Sequence, residues 1–226
     1  MPRAVKPRRS YDSPRRREQA RATRRAVLDA ARKLFVEGGY VATTIDAIAA
    51  RAQVSPETVY ATFRNKRSLL SALIDMSMAG DDAPVPILER GWVQEMRDEP
   101  DPDRRLKILA RNGRLILERT VPVYEVLRGA AMADPEIASL WELNKAQRHP
   151  GQRELLRILT ERNPLRRGLT LRAGTDILFA IGSPETYRLL VIDRGWSADQ
   201  FERWYADTLQ RLLLTERGRD DPAPSR

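Results

Sequence analysis

The sequence contains no cysteine. That excludes a disulfide framework, a thiol nucleophile, a zinc–thiolate centre and a cysteine-held iron–sulfur cluster. The single histidine, His149, excludes a poly-histidine metal site and argues against a His-dependent triad. Long apolar runs are missing too. The longest in the C-terminal half, Ile177–Ile181, has five residues, against the ~20 needed to span a bilayer. No signal-peptide core follows the N-terminus, where residues 1–25 are basic and polar. A cytoplasmic protein is expected. There is also no Gly-rich phosphate loop, no G-x-S-x-G elbow, no paired-carboxylate motif on a strand and no metal-ligand spacing. No enzyme activity, metal or cofactor is therefore expected. The 226 residues are enough for one large domain, or for a small one joined to a larger one.

What the sequence has in excess is positive charge, +9 in total, with 35 of its 40 basic residues arginine. Arginine pairs bidentately with phosphate. The distribution is more telling than the sum. Residues 1–80 carry 16 basic and 7 acidic groups, whereas residues 81–226 carry 24 of each. Ten basic groups fall within residues 1–25 alone. An N-terminal unit suited to a polyanion is thus joined to an electroneutral remainder.

The patterning is helical throughout, and an all-α fold is expected. Residues 1–14, with three prolines among Arg, Lys and Ser, read as a flexible basic arm. Val27, Leu28, Ala31, Leu34 and Phe35 share one helical face, which Gly38-Gly39 ends. Thr44 starts a second helix with Ile45, Ile48 and Ala49 inward. Ser55-Pro56-Glu57 combines a cap, a proline at the first helical position and an acid in the first turn. Asn65 caps a fourth helix. Turn residues at 80–86 divide an N-terminal domain, 15–80, from a larger helical domain, 81–216. A polar tail, 217–226, reads as disordered. In the second domain Asp134-Pro135-Glu136, Thr170, Ser183-Pro184-Glu185 and the Ser197–Gln200 capping box mark helix starts, and His149-Pro150 reads as an interruption or a kink. Phe201, Trp204, Tyr205, Thr208, Leu209, Leu212 and Leu213 form the most regular stripe.

The segment 44–63 has the chemistry of a helix-turn-helix. A recognition helix presents its N-terminal end to the major groove and keeps an apolar back on its neighbours. Val59 and Phe63, four residues apart, supply that back. Thr58, Ala61 and Thr62 are small and point elsewhere. Their hydroxyls and methyls suit base edges and the thymine methyl. Tyr60 offers a phenol to a phosphate, and Lys66 a charge at a helix start.

Residues 20–75 resemble the DNA-binding domain of TetR-family transcriptional regulators. The carrying run is AVLDAARKLFVEGGYVATTIDAIAARAQVSPETVYATFRNKRSLLSALI, with VSPETVYATFRNKRSLL its most family-like part. More loosely, the stretch from Asn163 to Leu214 is similar to the family's last two, dimerising helices. The resemblance implies a homodimer on a palindromic operator in double-stranded DNA, usually a repressor. It implies that 15–80 is the DNA-binding domain and 81–216 the regulatory and dimerisation domain, in which a small molecule spreads the two readers. By position, it implies phosphate contacts at Tyr60, Lys66 and Thr43 or Thr44, and a base-reading stretch at Ser55, Pro56, Glu57, Thr58 and Thr62. It implies an arm of Arg8, Arg9, Arg15, Arg16 and Arg17 at the minor groove. It also implies a dimer face including Tyr187, Phe201, Trp204, Tyr205, Leu209 and Leu212, although the stripe alone is equally a subunit core. Gln53 stands where the family usually has glycine in the turn, so a strained turn is expected. Glu57 either caps its helix or accepts from a cytosine amine.

Residues 81–160 resemble no family named here, and the ligand is not legible. Tyr124, Met132, Trp141, Asn144, His149 and Phe179 are candidates for a pocket wall, although aromatics and Met at helical spacing are more often core. The low charge of Val121–Val126 and Gly129–Ala133 favours a mainly apolar ligand. The competing reading is a basic peripheral or nonspecific nucleic-acid-binding protein without a small-molecule switch. A membrane partner is not expected, because the surface after Arg15–Arg17 is Ala-rich and not Trp- or Phe-rich.

Overall fold

A computed structural model describes residues 14–215, apart from 82 and 84. The polypeptide is helical from its first described residue, and the described residues contain no strand beyond one bridge between Leu165 and Leu214. The N-terminal unit comprises α1 (Pro14–Ala42), α2 (Ile45–Ala52), α3 (Pro56–Phe63) and α4 (Lys66–Ala79). The caps act as the sequence predicts. Thr44, Ser55 and Asn65 each accept a hydrogen bond from the backbone N–H three residues on, filling orphan donors at the helix starts. Gly39, at φ 77°, breaks the helical path of α1 near its end.

The larger unit comprises α5 (Gly91–Asp98), α6 (Pro102–Ala131), α7 (Pro135–Thr160), α8 (Leu171–Ile181), the short α9 (Pro184–Tyr187) and α10 (Ala198–Leu213). A π-helical segment, Arg188–Asp193, prolongs α9. Asp134, Thr170, Ser183 and Ser197 cap α7, α8, α9 and α10. One expectation is overturned: His149-Pro150 does not interrupt its helix. Pro150 lies inside a continuous α7, as Pro122 lies inside α6. Each proline removes one intrahelical hydrogen bond. Packing along these long helices outweighs that loss.

Two hydrophobic cores meet on α6. Val123, Tyr124 and Leu127 of α6 pack with Val27, Phe35, Leu70 and Leu73 of the N-terminal unit. Leu106, Leu109 and Leu117 of the same helix pack with Leu156, Leu178, Phe201 and Leu209. The first core therefore crosses the boundary that the turn residues at 80–86 suggest. Arg119 of α6 reinforces the junction by donating to the Ser77 and Met78 carbonyls at the end of α4, at 3.2 and 3.4 Å. At the far end, Arg105 is fully buried and donates to the carbonyls of Glu99 (2.7 Å), Ile158 (2.8 Å) and Arg97. Two of those carbonyls belong to the last turns of α5 and α7, where helix dipoles favour a cation.

Tyr187, Phe201, Tyr205 and Leu209 are buried within a single chain. This corrects their reading as dimer-face residues: the stripe of α10 seals the subunit's own core. Trp204 and Leu212 are only half-buried and remain on its outer flank.

Tyr205 is seated between two glycines. A Cβ on Gly113 would stand 2.9 Å from its ring, and one on Gly182 would collide with its hydroxyl. Gly182→Ala should therefore displace Tyr205 and destabilise the protein by about 1–3 kcal/mol. Urea unfolding checks this, and an unchanged midpoint would show that Tyr205 moves freely.

Candidate nucleic-acid interface and ligand cavity

The reading helix, α3, is held from behind and open in front. Val59 and Phe63 are buried, whereas Glu57, Tyr60 and Ala61 are exposed and Thr58 and Thr62 half-exposed. The Arg24 guanidinium stacks 4.6 Å above the Phe63 ring and locks α1 to the back of α3. Arg16, Gln19, Arg21 and Arg24 of α1 line one cleft with Thr58 and Thr62. The basic face of α1 and the small hydroxyl side chains of α3 thus form a single surface. Arg15, Arg16 and Arg17 stand in the exposed first turns of α1, not in an arm. Arg8 and Arg9 lie outside the described residues.

Both hydroxyls on α3 are partly occupied. The Thr62 hydroxyl donates to the Thr58 carbonyl at 2.8 Å, and the Ser55 and Thr58 hydroxyls pair at 3.2 Å. Thr62 can therefore meet a base with its oxygen lone pairs or its methyl. Glu57 is exposed in the first turn of α3. Its own backbone N–H and the Ser55 hydroxyl hold its carboxyl below the usual carboxylate range. Ser55 and Pro56 form the first turn, Ser55 as N-cap. Thr44 is exposed and caps α2.

Two residues read as phosphate ligands have internal partners. Thr43 is buried and donates to the Leu34 and Gly39 carbonyls at 3.1 and 2.8 Å. Lys66 donates through Nζ to the carbonyls of Tyr40 and Thr43, at 2.9 and 3.0 Å, and lies over the Tyr40 ring. Burial pushes its ammonium below the ordinary lysine value, with Asp134 opposing. Lys66 staples the α1–α2 connection to the start of α4.

Positive φ flanks α3 at both ends. Gln53 has φ 56° and ψ 41°, the left-handed conformation that its place in the turn predicts. Arg64 has φ 63° and ψ −47°, and the Asn65 N–H donates to the Phe63 carbonyl at 2.7 Å. That is a γ-turn, a strained three-residue reversal. It holds the exposed Arg64 beside the reading surface. Sequence reasoning missed Arg64, as it missed Arg21 and Arg24. The helical spacing of those two from Arg17 was the available signal.

A cavity of about 220 Å³ lies between the two cores. Its wall is mostly apolar, including Met78, Trp92, Leu109 and Leu178, with Thr120, Tyr124, Gln147, Arg148, Gln152 and Tyr205 as its polar residues. Of the six pocket candidates, only Tyr124 is in the wall. Met132 is 85% exposed. Trp141 packs edge-on against Tyr124, behind the wall. Asn144 donates to the Leu140 carbonyl. His149 pairs with Asp176 at 3.0 Å. Phe179 reaches the site only through Arg148, which stacks on its ring. The described residues hold no cluster suited to a metal, and none of their helices is long and apolar enough to cross a membrane.

A capped helix pair with an apolar back, a basic flank and an attached helical domain holding a cavity defines a helix-turn-helix transcriptional regulator. Residues 27–73 match the family of bacterial regulatory proteins of the tetR type. The uncharacterised HTH-type transcriptional regulator YdeS of Bacillus subtilis is 30% identical over 181 residues, 79% of this chain and 84% of that protein. The protein belongs to the TetR family. It is also 33% identical to the HTH-type transcriptional regulator TtgR of Pseudomonas putida, over about half of each chain (50% and 52%). The crystal structure of NalD, the secondary repressor of the MexAB-OprM multidrug efflux pump in Pseudomonas aeruginosa, shares the fold. Its TM-score is 0.64 at 23% identity, covering 88% of this chain and all of that one (100%).

Gln53→Gly should relieve the left-handed turn and stabilise the protein by about 0.5–1 kcal/mol. Thermal unfolding checks this. A lowered midpoint would mean that the Gln53 side chain contributes more than its φ costs.

Proposed function

We propose that this regulator is a homodimeric, sequence-specific repressor. In this reading it acts in the cytoplasm, bound to the nucleoid through a palindromic operator, and a small molecule in the cavity releases it. The observation that carries the reading is the single cleft that Thr58 and Thr62 share with Arg16, Arg21 and Arg24. It sets base-reading groups beside phosphate-binding ones. Tyr60, 52% exposed on the same helix, is the proposed phenolic phosphate contact. Thr44, Ser55, Pro56 and Glu57 border the groove as caps and first-turn residues. Lys66 contributes by placing α4, and Arg8 and Arg9 are the proposed minor-groove contacts.

Dimerisation follows from the reading mode, since one eight-residue helix reads too few bases for genomic specificity. The proposed face centres on Leu189 and Ile192, which are 52% and 62% exposed, with Trp204 and Leu212. Release requires only that the ligand favour a state whose half-site spacing no longer matches one turn of DNA, ~34 Å. The domain division at 80/81 serves this reading as a boundary of function, since the first core runs across it.

Salt-titrated fluorescence anisotropy tests the proposal. DNA from upstream of the protein's own gene should bind ~10³-fold or more tighter than a shuffled duplex. Arg16→Ala with Arg21→Ala should flatten the salt dependence by about two charges and leave the ranking of sequences intact. Equal binding of native and shuffled DNA, followed by genome-wide selection without an enriched site, would establish the nonspecific alternative. Leu189→Glu with Ile192→Glu should give monomers in sedimentation velocity and weaken the specific complex. A variant that stayed dimeric would move the interface elsewhere.

A further inference from the structure

The cavity holds a cation with two unfilled N–H groups. The Arg148 side chain is 11% exposed, and its Nε and Nη1 are buried with no hydrogen-bond partner. The carboxylate of Glu185 stands 3.8 Å away, beyond hydrogen-bond reach, and is itself 46% exposed. The Phe179 ring, 4.1 Å from Cζ, covers one face of the guanidinium and fills none of its N–H positions. Burial pushes the Arg148 guanidinium below its ordinary value, with Glu185 opposing. One helical turn on, Gln152 shares the wall, and its Oε1 is also buried without a partner. A half-turn of that amide presents its NH₂ to the same space.

A buried guanidinium with unfilled N–H groups is costly and is normally matched by hydrogen-bond acceptors or an anion at contact distance. Arg105 shows the alternative in this same chain, because its fully buried guanidinium is met by three carbonyls. Arg148 has no such set. Most of the remaining wall is apolar, with Met78, Trp92, Leu109 and Leu178 among its residues, and Arg148 is its one charged group. An apolar cavity of about 150 Å³ already admits benzene. The ~220 Å³ here accepts one ring with a short side chain.

We propose that the cavity binds a small aromatic or branched monocarboxylate, its carboxylate on Arg148 and Gln152 and its hydrocarbon body against Trp92, Leu109 and Leu178. This rests on the cavity being the regulatory site. The acid end meets α7, and the body lies beside Met78, in the last turn of α4. Filling the cavity is thereby sensed at α4.

The test is calorimetric titration of the full chain, without DNA, using benzoate, 3-phenylpropanoate and 4-methylpentanoate, each beside its amide, plus 3-phenylpropylamine. At least one acid should bind about 10- to 100-fold tighter than its amide, as charge-assisted hydrogen bonds imply, and should change Trp92 fluorescence. Arg148→Gln should abolish that preference, while Arg148→Lys keeps part of it. Arg148→Gln should also raise the melting temperature of the unliganded protein, because it removes an unmatched buried charge. A merely structural arginine would lower it. Acid and amide binding equally, the amine binding best, an acid preference that survives Arg148→Gln, or no saturable binding by any acid would overturn the proposal. Adding operator DNA afterwards separates the two readings. Selective acid binding that leaves DNA bound keeps this site and removes ligand release. Release of DNA by the amides as readily as by the acids keeps release and removes this inference.

Discussion

One helix belongs to two cores, and the rest of the molecule is arranged around that constraint. Val123, Tyr124 and Leu127 of α6 complete the core of the DNA-binding unit, while Leu106, Leu109 and Leu117 complete the core of the larger one. Neither unit buries its apolar surface without α6. Arg119 adds a polar tie to the end of α4. Tyr124 belongs to the first core and also to the cavity wall. Close-packed interiors transmit displacement and do not absorb it. A change in what fills the cavity therefore acts on the seating of α4, and through Lys66 on the α1–α2 connection. This is the physical route on which the proposed ligand control depends.

The reading surface is built with a different economy. Its charge comes from α1, its small hydroxyl groups from α3, and its rigidity from contacts that face away from any DNA. Phe63 is clamped by Arg24, and Lys66 is turned inward onto two carbonyls. Strain sits at both ends of α3, at Gln53 and Arg64. Left-handed conformations at two non-glycine residues persist because caps at Ser55 and Asn65 fix the chain on either side. The angle at which α3 leaves the body of the protein is thereby set locally.

Much of this was legible from residue order. Caps are local chemistry, so Thr44, Ser55, Asn65, Asp134, Thr170, Ser183 and Ser197 marked helix starts correctly. The left-handed turn at Gln53 followed from the family resemblance, which puts a glycine at that position. What failed was non-local. A stripe such as Phe201–Leu213 reveals that a face is buried but not against which chain. His149-Pro150 read as a break because proline is a local breaker, yet α7 is held by packing on both sides of it. Lys66 read as a phosphate ligand because the carbonyls that hold it lie 26 and 23 residues away. Arg148 sits in the polar run KAQRHPGQRE, where a charge reads as solvated. Only the packing of α7 against α6 and α8 turns it inward.

The central claim is that the DNA-binding unit and the cavity domain are one cooperative body joined by α6. Native-state hydrogen exchange over a denaturant series tests it most directly. The amides of Leu69, Leu70 and Leu73 in α4 should converge with those of Val123 and Leu127 in α6 on a single opening free energy. If the α4 amides instead open at a distinctly lower free energy while those of α6 stay protected, the DNA-binding unit is an independent body. The route from cavity to reading helix described here would then be wrong.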